Sequence, residues 1–274
     1  MWYRIFWLYI LFLLGRHLCF PASPRYLELA DSADFFIERQ NWNKAEDKII
    51  EALRLEPANF SNSLLLANLG LVQTQKKEYA KAIESLSLGL NIAPSSTVLL
   101  NNRAHTFLLI DSLNSAVRDL DKSLSIDSIQ EWTLRTRAFI HLQNQEFEQA
   151  KKLFYKILEF NPDNFSVYSG LAAIAEYNGK LEDAEFFYKK VIDNLPEDEE
   201  ARQAYIMLLI KKNEYSLARS QIKEGLAINP ENPMFYLLRG YLHRLNFRYD
   251  EAIADKKTAI AKGLDPQFVA NFIP

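Results

Sequence analysis

Residues 147–180 read FEQAKKLFYKILEFNPDNFSVYSGLAAIAEYNGK, and this stretch decides the fold class. Apolar or small side chains recur at every third or fourth position from Phe147 to Leu158, which is the spacing of one face of an α-helix. Pro162 is expected to end that helix, because proline cannot continue it. A second helix is predicted from about Phe165 to Tyr177, followed by a short turn at residues 178–180. The stretch therefore predicts two helices joined by tight turns.

The same pattern recurs along the chain with a period of 34 residues. An alanine recurs once in every repeat. A large apolar residue lies three positions before this alanine, and a proline usually lies twelve positions after the alanine. A small side chain lets two paired helices approach closely, which explains why alanine recurs. Only the first interval is longer, at 37 residues. The alanine column consists of Ala45, Ala82, Ala116, Ala150, Ala184, Ala218 and Ala252.

These features resemble the tetratricopeptide repeat (TPR) family, which combines a 34-residue period, small residues at fixed places and a closing proline. The resemblance implies an all-α fold, a right-handed α-α superhelix (TPR solenoid) of about seven helical-hairpin repeats. It covers a predicted repeat domain at residues 24–266, followed by a capping tail at residues 267–274. The predicted repeats are 26–59, 63–96, 97–130, 131–164, 165–198, 199–232 and 233–266.

The composition agrees with a folded helical chain. Only 8 of 274 residues are glycine, which disfavours barrels, sandwiches and propellers rich in glycine turns. The single cysteine, Cys19, excludes a disulfide framework and a multi-cysteine zinc site. The formal net charge is −3, so no basic excess points to nucleic acid.

The first 23 residues carry the pattern of a secretory signal peptide. Arg4 precedes the unbroken apolar run Ile5–Leu14, and small residues follow at Pro21-Ala22-Ser23. The run is shorter than the roughly 20 residues of a bilayer span. We therefore predict export to the periplasm or to the outer face of a bacterial envelope. An uncleaved anchor that tethers the chain to the membrane and a misassigned start codon are the alternatives.

The sequence contains no pattern that predicts catalysis. It lacks the zinc-protease, nucleophile-elbow and phosphate-loop motifs. His141 and His243 occupy the same place in their repeats, so packing explains them. The acidic run at residues 197–200 is expected to begin a helix, where acids are favoured. No enzyme activity, cofactor or metal is predicted.

The resemblance implies that first helices of the repeats line a concave surface, where the family usually receives a peptide or a helix of a partner. Aromatic residues and arginine are common anchors of such contacts, and an asparagine amide can both donate to and accept from a peptide backbone. The alternative is that these side chains only pack between neighbouring first helices. The predicted partner-binding residues are Asn68, Asn101, Asn102, His105, Trp132, Arg135 and Phe139.

The predicted function is that of an exported scaffold or adaptor that binds a peptide or helix of an envelope partner, in a membrane-proximal complex. One alternative is a structural subunit or self-associating assembly factor, which an exposed apolar tail at residues 267–274 would favour. Another is a receptor for a small ligand or glycan, which the aromatic residues of the concave surface would permit. The partner's identity and the oligomeric state are left open.

Overall fold

The computed structural model describes residues 22–273, and within that range all regular secondary structure is helical. The predicted all-α hairpin architecture is confirmed, since helices follow one another in antiparallel pairs without any strand in this range. The predicted signal peptide lies almost wholly outside the described residues. The helices are α1 Pro24–Glu38, α2 Trp42–Leu55, α3 Asn62–Gln75, α4 Tyr79–Ile92, α5 Thr97–Leu109, α6 Leu113–Ile126, α7 Glu131–Gln143, α8 Phe147–Phe160, α9 Phe165–Tyr177, α10 Leu181–Asn194, α11 Glu199–Lys211, α12 Tyr215–Ile228, α13 Pro233–Leu245, α14 Tyr249–Ala261 and α15 Pro266–Ala270.

The small residues of the repeat allow close contacts between neighbouring helices, both within a hairpin and between successive hairpins. All seven alanines of the column are at most 1% exposed. At Gly170 on α9, a Cβ atom would lie only 2.5 Å from the Cζ atom of Phe154 on α8. No real Cβ contact is that short, so this position requires glycine unless the phenylalanine moves. The period seen in the sequence is therefore the period of close helix contacts.

The second helices of several repeats end in a residue outside the helical region, which a following proline favours. Glu56 before Pro57 has φ −132° and ψ 71°, and Asn161 before Pro162 has φ −137° and ψ 77°. A proline disfavours the helical region for the residue before it, which stops the helix there. Asp127 adopts a similar conformation, with φ −134° and ψ 112°, although Ser128 follows it. The helix end is thus kept where the proline is missing.

The described residues divide into two compact units, unit 1 up to residue 133 and unit 2 from residue 134, with the boundary inside α7. In unit 1, Tyr26 and Leu29 of α1 pack with Ile49 of α2 and with Leu65 of α3. The core continues around Leu86, Leu99 and Leu100 at the next hairpin.

Unit 2 contains one large apolar cluster to which the five helices from α9 to α13 contribute. Tyr188 of α10, Tyr205 and Leu209 of α11 and Phe235 of α13 are buried in one cluster. The charged side chain of Arg239 on α13 crosses to Asp255 on α14, with Nε–Oδ2 2.9 Å and Nη2–Oδ1 2.6 Å. Each hairpin is therefore held by apolar contacts, and some hairpins also contain a bidentate ion pair.

The C-terminal residues fold back onto the last hairpin. Val269 and Ile273 are buried against Leu237 of α13 and Ala259 of α14. Arg244 donates a hydrogen bond from Nη1 to the carbonyl of Phe272, at 2.8 Å. Val269 and Ile273 of the tail are consequently covered, whereas Phe268 is 41% exposed.

Candidate functional site

The seven predicted binding residues are divided between the two units. Asn68, Asn101, Asn102, His105 and Trp132 belong to unit 1, whereas Arg135 and Phe139 belong to unit 2. The first five lie on the first helices α3, α5 and α7 of consecutive repeats.

Four of those five residues surround one surface depression. It has a volume of about 390 Å³ and is lined by Val98, Asn101, Asn102, His105 and Trp132. The rings of His105 and Trp132 meet edge to face, with centroids 6.2 Å apart and planes at 81°. Aromatic pairs favour this arrangement, because a positive ring edge points at a negative ring face. The depression therefore has an aromatic wall and an amide wall.

Asn101 is fixed by its neighbours. Its Nδ2 donates to Oε1 of Gln130 at 2.7 Å, and its Oδ1 accepts from Oγ1 of Thr133 at 3.1 Å. The same Gln130 donates from Nε2 to the carbonyl of Ser123 at 3.2 Å. The amide of Asn101 thus joins α5 to the start of α7 and helps to hold Trp132 in place.

The two asparagines at matching positions, Asn68 and Asn102, have different surroundings. Asn68 donates from Nδ2 to Oδ1 of Asp34 on α1, at 2.8 Å, so it bridges adjacent first helices. The side-chain amide of Asn102 makes no hydrogen bond to any residue of the described range, and it faces the depression. Of these two asparagines, Asn102 is therefore the one whose side-chain amide is available to a ligand.

The remaining two predicted residues are described within unit 2. Arg135 lies 3.5 Å from Ser166, measured from Nη1 to Oγ. Phe139 is partly exposed and meets the ring of Phe154 edge to face, with centroids 5.8 Å apart. Both residues make contacts within the helix stack of unit 2.

The prediction from sequence begins at the second repeat and so omits α1. Leu27, Asp31 and Asp34 occupy the α1 positions equivalent to Val98, Asn102 and His105, after allowance for the longer first interval. Leu27 and Asp31 are exposed to solvent. Aligning the first repeat with the second by the 37-residue spacing between Ala45 and Ala82 would have identified these residues from the sequence.

The described residues provide no metal or membrane-spanning feature. No group of three or more His, Cys, Asp or Glu side chains in residues 22–273 could hold a metal ion. In the same range, every helix is too short or too polar to cross a bilayer. Burial lowers the pKa of the His243 imidazole, which lies 3.8 Å from the Asp255 carboxylate.

Comparisons with known sequences match repeat families along the chain. Tetratricopeptide repeat models match residues 65–96 and 206–266, and the model of the TT21 fifth ARM repeats domain matches residues 137–226. Tetratricopeptide repeat protein 21A of Mus musculus is 27% identical over 160 residues, which cover 55% of this chain and 12% of that protein. TPR repeat-containing protein MJ1428 of Methanocaldococcus jannaschii is 25% identical over 247 residues, covering 85% of this chain and 43% of that protein. The chain thus spans less than half the length of these relatives.

A solved structure agrees with the fold. The crystal structure of a tetratricopeptide repeat protein from Parabacteroides merdae has a TM-score of 0.70 at 24% identity, covering 92% of this chain and 98% of that one. The hairpin period, the helix pairing and these matches lead to one conclusion. The chain belongs to the tetratricopeptide repeat family.

Proposed function

We propose that the chain is a scaffold that binds a peptide segment of a partner protein in the depression lined by Val98, Asn101, Asn102, His105 and Trp132. The tetratricopeptide repeat fold is in general a scaffold for protein–protein interaction, because stacked repeats present extended surfaces. The proposal narrows that general role to one depression of unit 1 and to one kind of ligand.

The proposal rests on two neighbouring features of the depression: the Trp132 ring has a defined orientation, and the side-chain amide of Asn102 is available to a ligand. Trp132 is oriented by His105, and its helix is joined to α5 through Asn101. Asn102 has an amide that is unused within the described range. A peptide backbone offers alternating N–H and C=O groups, and one amide side chain can satisfy both. The tryptophan supplies the apolar contact area that typically anchors such a complex.

The test is to select peptides from a random twelve-residue library on the full chain and to measure their dissociation constants. Trp132→Ala and Asn102→Ala should each weaken binding of the selected peptides by about tenfold or more, as expected for an anchor worth at least about 1.4 kcal/mol. Phe186→Ala is the matched control, since Phe186 is an exposed aromatic residue on α10. Peptides that bind all four proteins equally would contradict the proposal.

A small-ligand receptor is the second candidate. The depression of about 390 Å³ falls within the range of about 300–1,000 Å³ that is usual for such sites. A thermal-shift screen with sugars separates the two functions. A sugar that raises the melting temperature of the wild type, but not that of Trp132→Ala, would favour the receptor function.

Export is a separate part of the proposal and rests on the sequence of residues 1–23, of which residues 1–21 lie outside the described range. We expect the chain to be recovered from the periplasmic or outer-envelope fraction. N-terminal sequencing of that material tests cleavage: a mature terminus near residue 23 agrees with a signal peptide, and an intact first residue agrees with an anchor.

A further inference from the structure

Unit 1 carries a stripe of exposed apolar side chains that the packing of its core does not require. Leu27 of α1, Leu64 of α3 and Val98 of α5 are 51%, 66% and 54% exposed. They occupy equivalent positions in consecutive repeats, and Trp132 of α7 occupies the next one. We call these four residues the apolar stripe. In unit 2 the equivalent positions carry Ser166, Glu200 and Met234, so the four-residue apolar pattern belongs to unit 1.

The first helices that carry the apolar stripe lie side by side. Asn68 of α3 is hydrogen-bonded to Asp34 of α1 at 2.8 Å. Thr74 of α3 meets Thr106 of α5, with 2.9 Å between the Oγ1 atoms, and Thr133 of α7 donates to Asn101 of α5 at 3.1 Å. Packed helices are separated by about 8–10 Å. Successive apolar residues of the stripe are therefore expected at roughly that interval.

A polyproline II segment has a matching repeat. It has three residues per turn and rises about 3.1 Å per residue, so every third side chain points the same way at intervals of about 9.3 Å. A β-strand covers a similar distance in three residues but turns the side chain to the opposite face. An α-helix brings a side chain back to the same face once per turn, at intervals of about 5.4 Å, which is roughly half the interval of the stripe.

One end of the apolar stripe is acidic. Asp31 lies one turn after Leu27 on α1, and Asp34 and Glu38 follow. None of these three carboxylates forms an ion pair with a residue of the described range. Burial, followed by the negative charges of Asp31 and Glu38, raises the pKa of the Asp34 carboxyl. A cation placed here would relieve that repulsion.

From this geometry we propose that unit 1 binds a proline-rich protein segment in the polyproline II conformation, with an apolar side chain at every third position and lysine or arginine at the end that lies over α1. The apolar side chains contact the stripe from Leu27 to Trp132, and the basic end contacts Asp31 and Asp34. Prolines between the apolar positions preorganise the segment and so reduce the entropy lost on binding. This inference rests on the proposed function, because it specifies the ligand of the same depression.

The probes are four fluorescein-labelled synthetic peptides. The first has two lysines followed by four leucines at every third position, with proline and serine between them, and the second carries the same lysines at the opposite end. The third has the same composition as the first, with leucines at every second position. The fourth replaces the lysines of the tighter binder of the first pair by glutamates. Binding to the full chain is measured by fluorescence anisotropy.

We expect one of the two period-three peptides to bind at least about tenfold more tightly than the period-two peptide. Replacing lysine by glutamate should weaken binding several-fold, and added salt should reduce that difference. Val98→Glu and Leu64→Ser should each weaken the period-three peptide about tenfold. Leu88→Glu is the control, because Leu88 is 50% exposed on the second helix α4 of the same unit. Circular dichroism confirms that each variant is folded.

Equal binding of the period-three and period-two peptides would overturn the inference, as would an equal loss of affinity in Leu88→Glu and Val98→Glu. The two proposals can fail separately. If library-selected peptides depend on Trp132 but show no three-residue period, the proposed function stands and this inference is wrong. If no selected peptide depends on Trp132, both are wrong.

Discussion

The residue at each hairpin turn has a left-handed backbone, and in most repeats it is not glycine. Gln145 between α7 and α8 has φ 59°, whereas Gly179 between α9 and α10 has φ 72°. A side chain in this region costs roughly 1–2 kcal/mol, because its Cβ crowds the following carbonyl. The other turns of the described range repeat the geometry. Their left-handed residues are Gln40, Lys77, Asp111, Asn213 and Phe247.

We predict that Gln145→Gly stabilises the protein by about 0.5–1 kcal/mol. Gln145 is exposed, so the substitution removes strain without opening a cavity. Gly179→Ala should do the reverse by a similar amount, although a Cβ at this position would meet nothing within 4 Å. Urea unfolding monitored by circular dichroism measures both changes.

The matched control for Gln145→Gly is Gln149→Gly, which makes the same replacement in the exposed first turns of α8. Glycine in a helix interior costs up to about 1 kcal/mol, so this variant should be less stable than the wild type. If both variants change stability in the same direction, backbone strain at the turn is not the cause.

At the scale of elements, α10 and α11 are joined through a partly buried carboxylate. Glu185 of α10 forms an ion pair with Lys189, with Nζ–Oε1 2.6 Å, and another with Lys212 just after α11. Tyr205 of α11 donates to the same carboxylate at 3.3 Å. The hydrogen bonds from Lys189 and Lys212 lower the pKa of Glu185 from 4.5 to about 2.

This lowered pKa predicts an acid-dependent contribution to stability. The ionised carboxylate stabilises the fold above pH 4.5, and the contribution is lost as the pH falls from 4.5 to about 2. Glu185→Gln should therefore lower the free energy of unfolding by about 2–3 kcal/mol at pH 7, with the difference vanishing near pH 2. Denaturant titrations at several pH values test this. Glu182→Gln, an exposed position on the same helix, should show a much smaller pH-dependent difference.

The helix pairs could be predicted from the sequence because their determinants are local. The spacing around Ala150 and the proline at position 162 lie within one repeat, and the predicted helix from Phe165 to Tyr177 agrees with α9. Among the left-handed turns between paired helices, only Gly179 is glycine, and Asp111 and Asn213 are of types that tolerate this region. The turns at Gln40, Lys77, Gln145 and Phe247 carry no residue type that indicates the conformation. Repeat register placed both His105 and Trp132 among the predicted residues of the concave surface, and in the structure their rings meet edge to face.

The rest of the candidate site depends on contacts between repeats. Whether Asn68 is free or bonded is decided by Asp34, which is 34 residues away, in a repeat with a different spacing. The fixed amide of Asn101 depends on Gln130 in the loop before α7. Both hydrogen bonds depend on the relative positions of side chains from different structural elements, so the residue pattern within one repeat does not predict them.

For the molecule as a whole, a stack of repeats must cover the apolar face of its last hairpin. Gly240 of α13 leaves the space that Ile273 occupies, since a Cβ there would lie 2.5 Å from the Cδ1 atom of Ile273. Val269 is buried beside it, and Tyr241 meets Phe272 edge to face with centroids 5.6 Å apart. The tail is therefore part of the core of unit 2.

Two variants test the energetic role of the tail. Ile273→Ala should destabilise unit 2 by about 2–4 kcal/mol, because it leaves a cavity at a fully packed site. Phe268→Ala is the control from the same segment and should cost less, since Phe268 is 41% exposed. Chemical denaturation measures both, and equal losses would mean that packing of Ile273 is not what holds the tail.

Removal of residues 266–274 should convert a capped chain into one that self-associates. Without the tail, Leu237 and Ala259 lose the side chains that cover them, and exposed apolar surface of this kind drives association. Light scattering coupled to size-exclusion chromatography should show a larger mass for the truncated chain than for the full chain at equal concentration. Leu237→Lys in the truncated chain should reverse the increase, because a charge on the uncovered face opposes its burial in a second copy. An unchanged mass after truncation would mean that the last hairpin needs no cover, and the tail would then contribute stability alone.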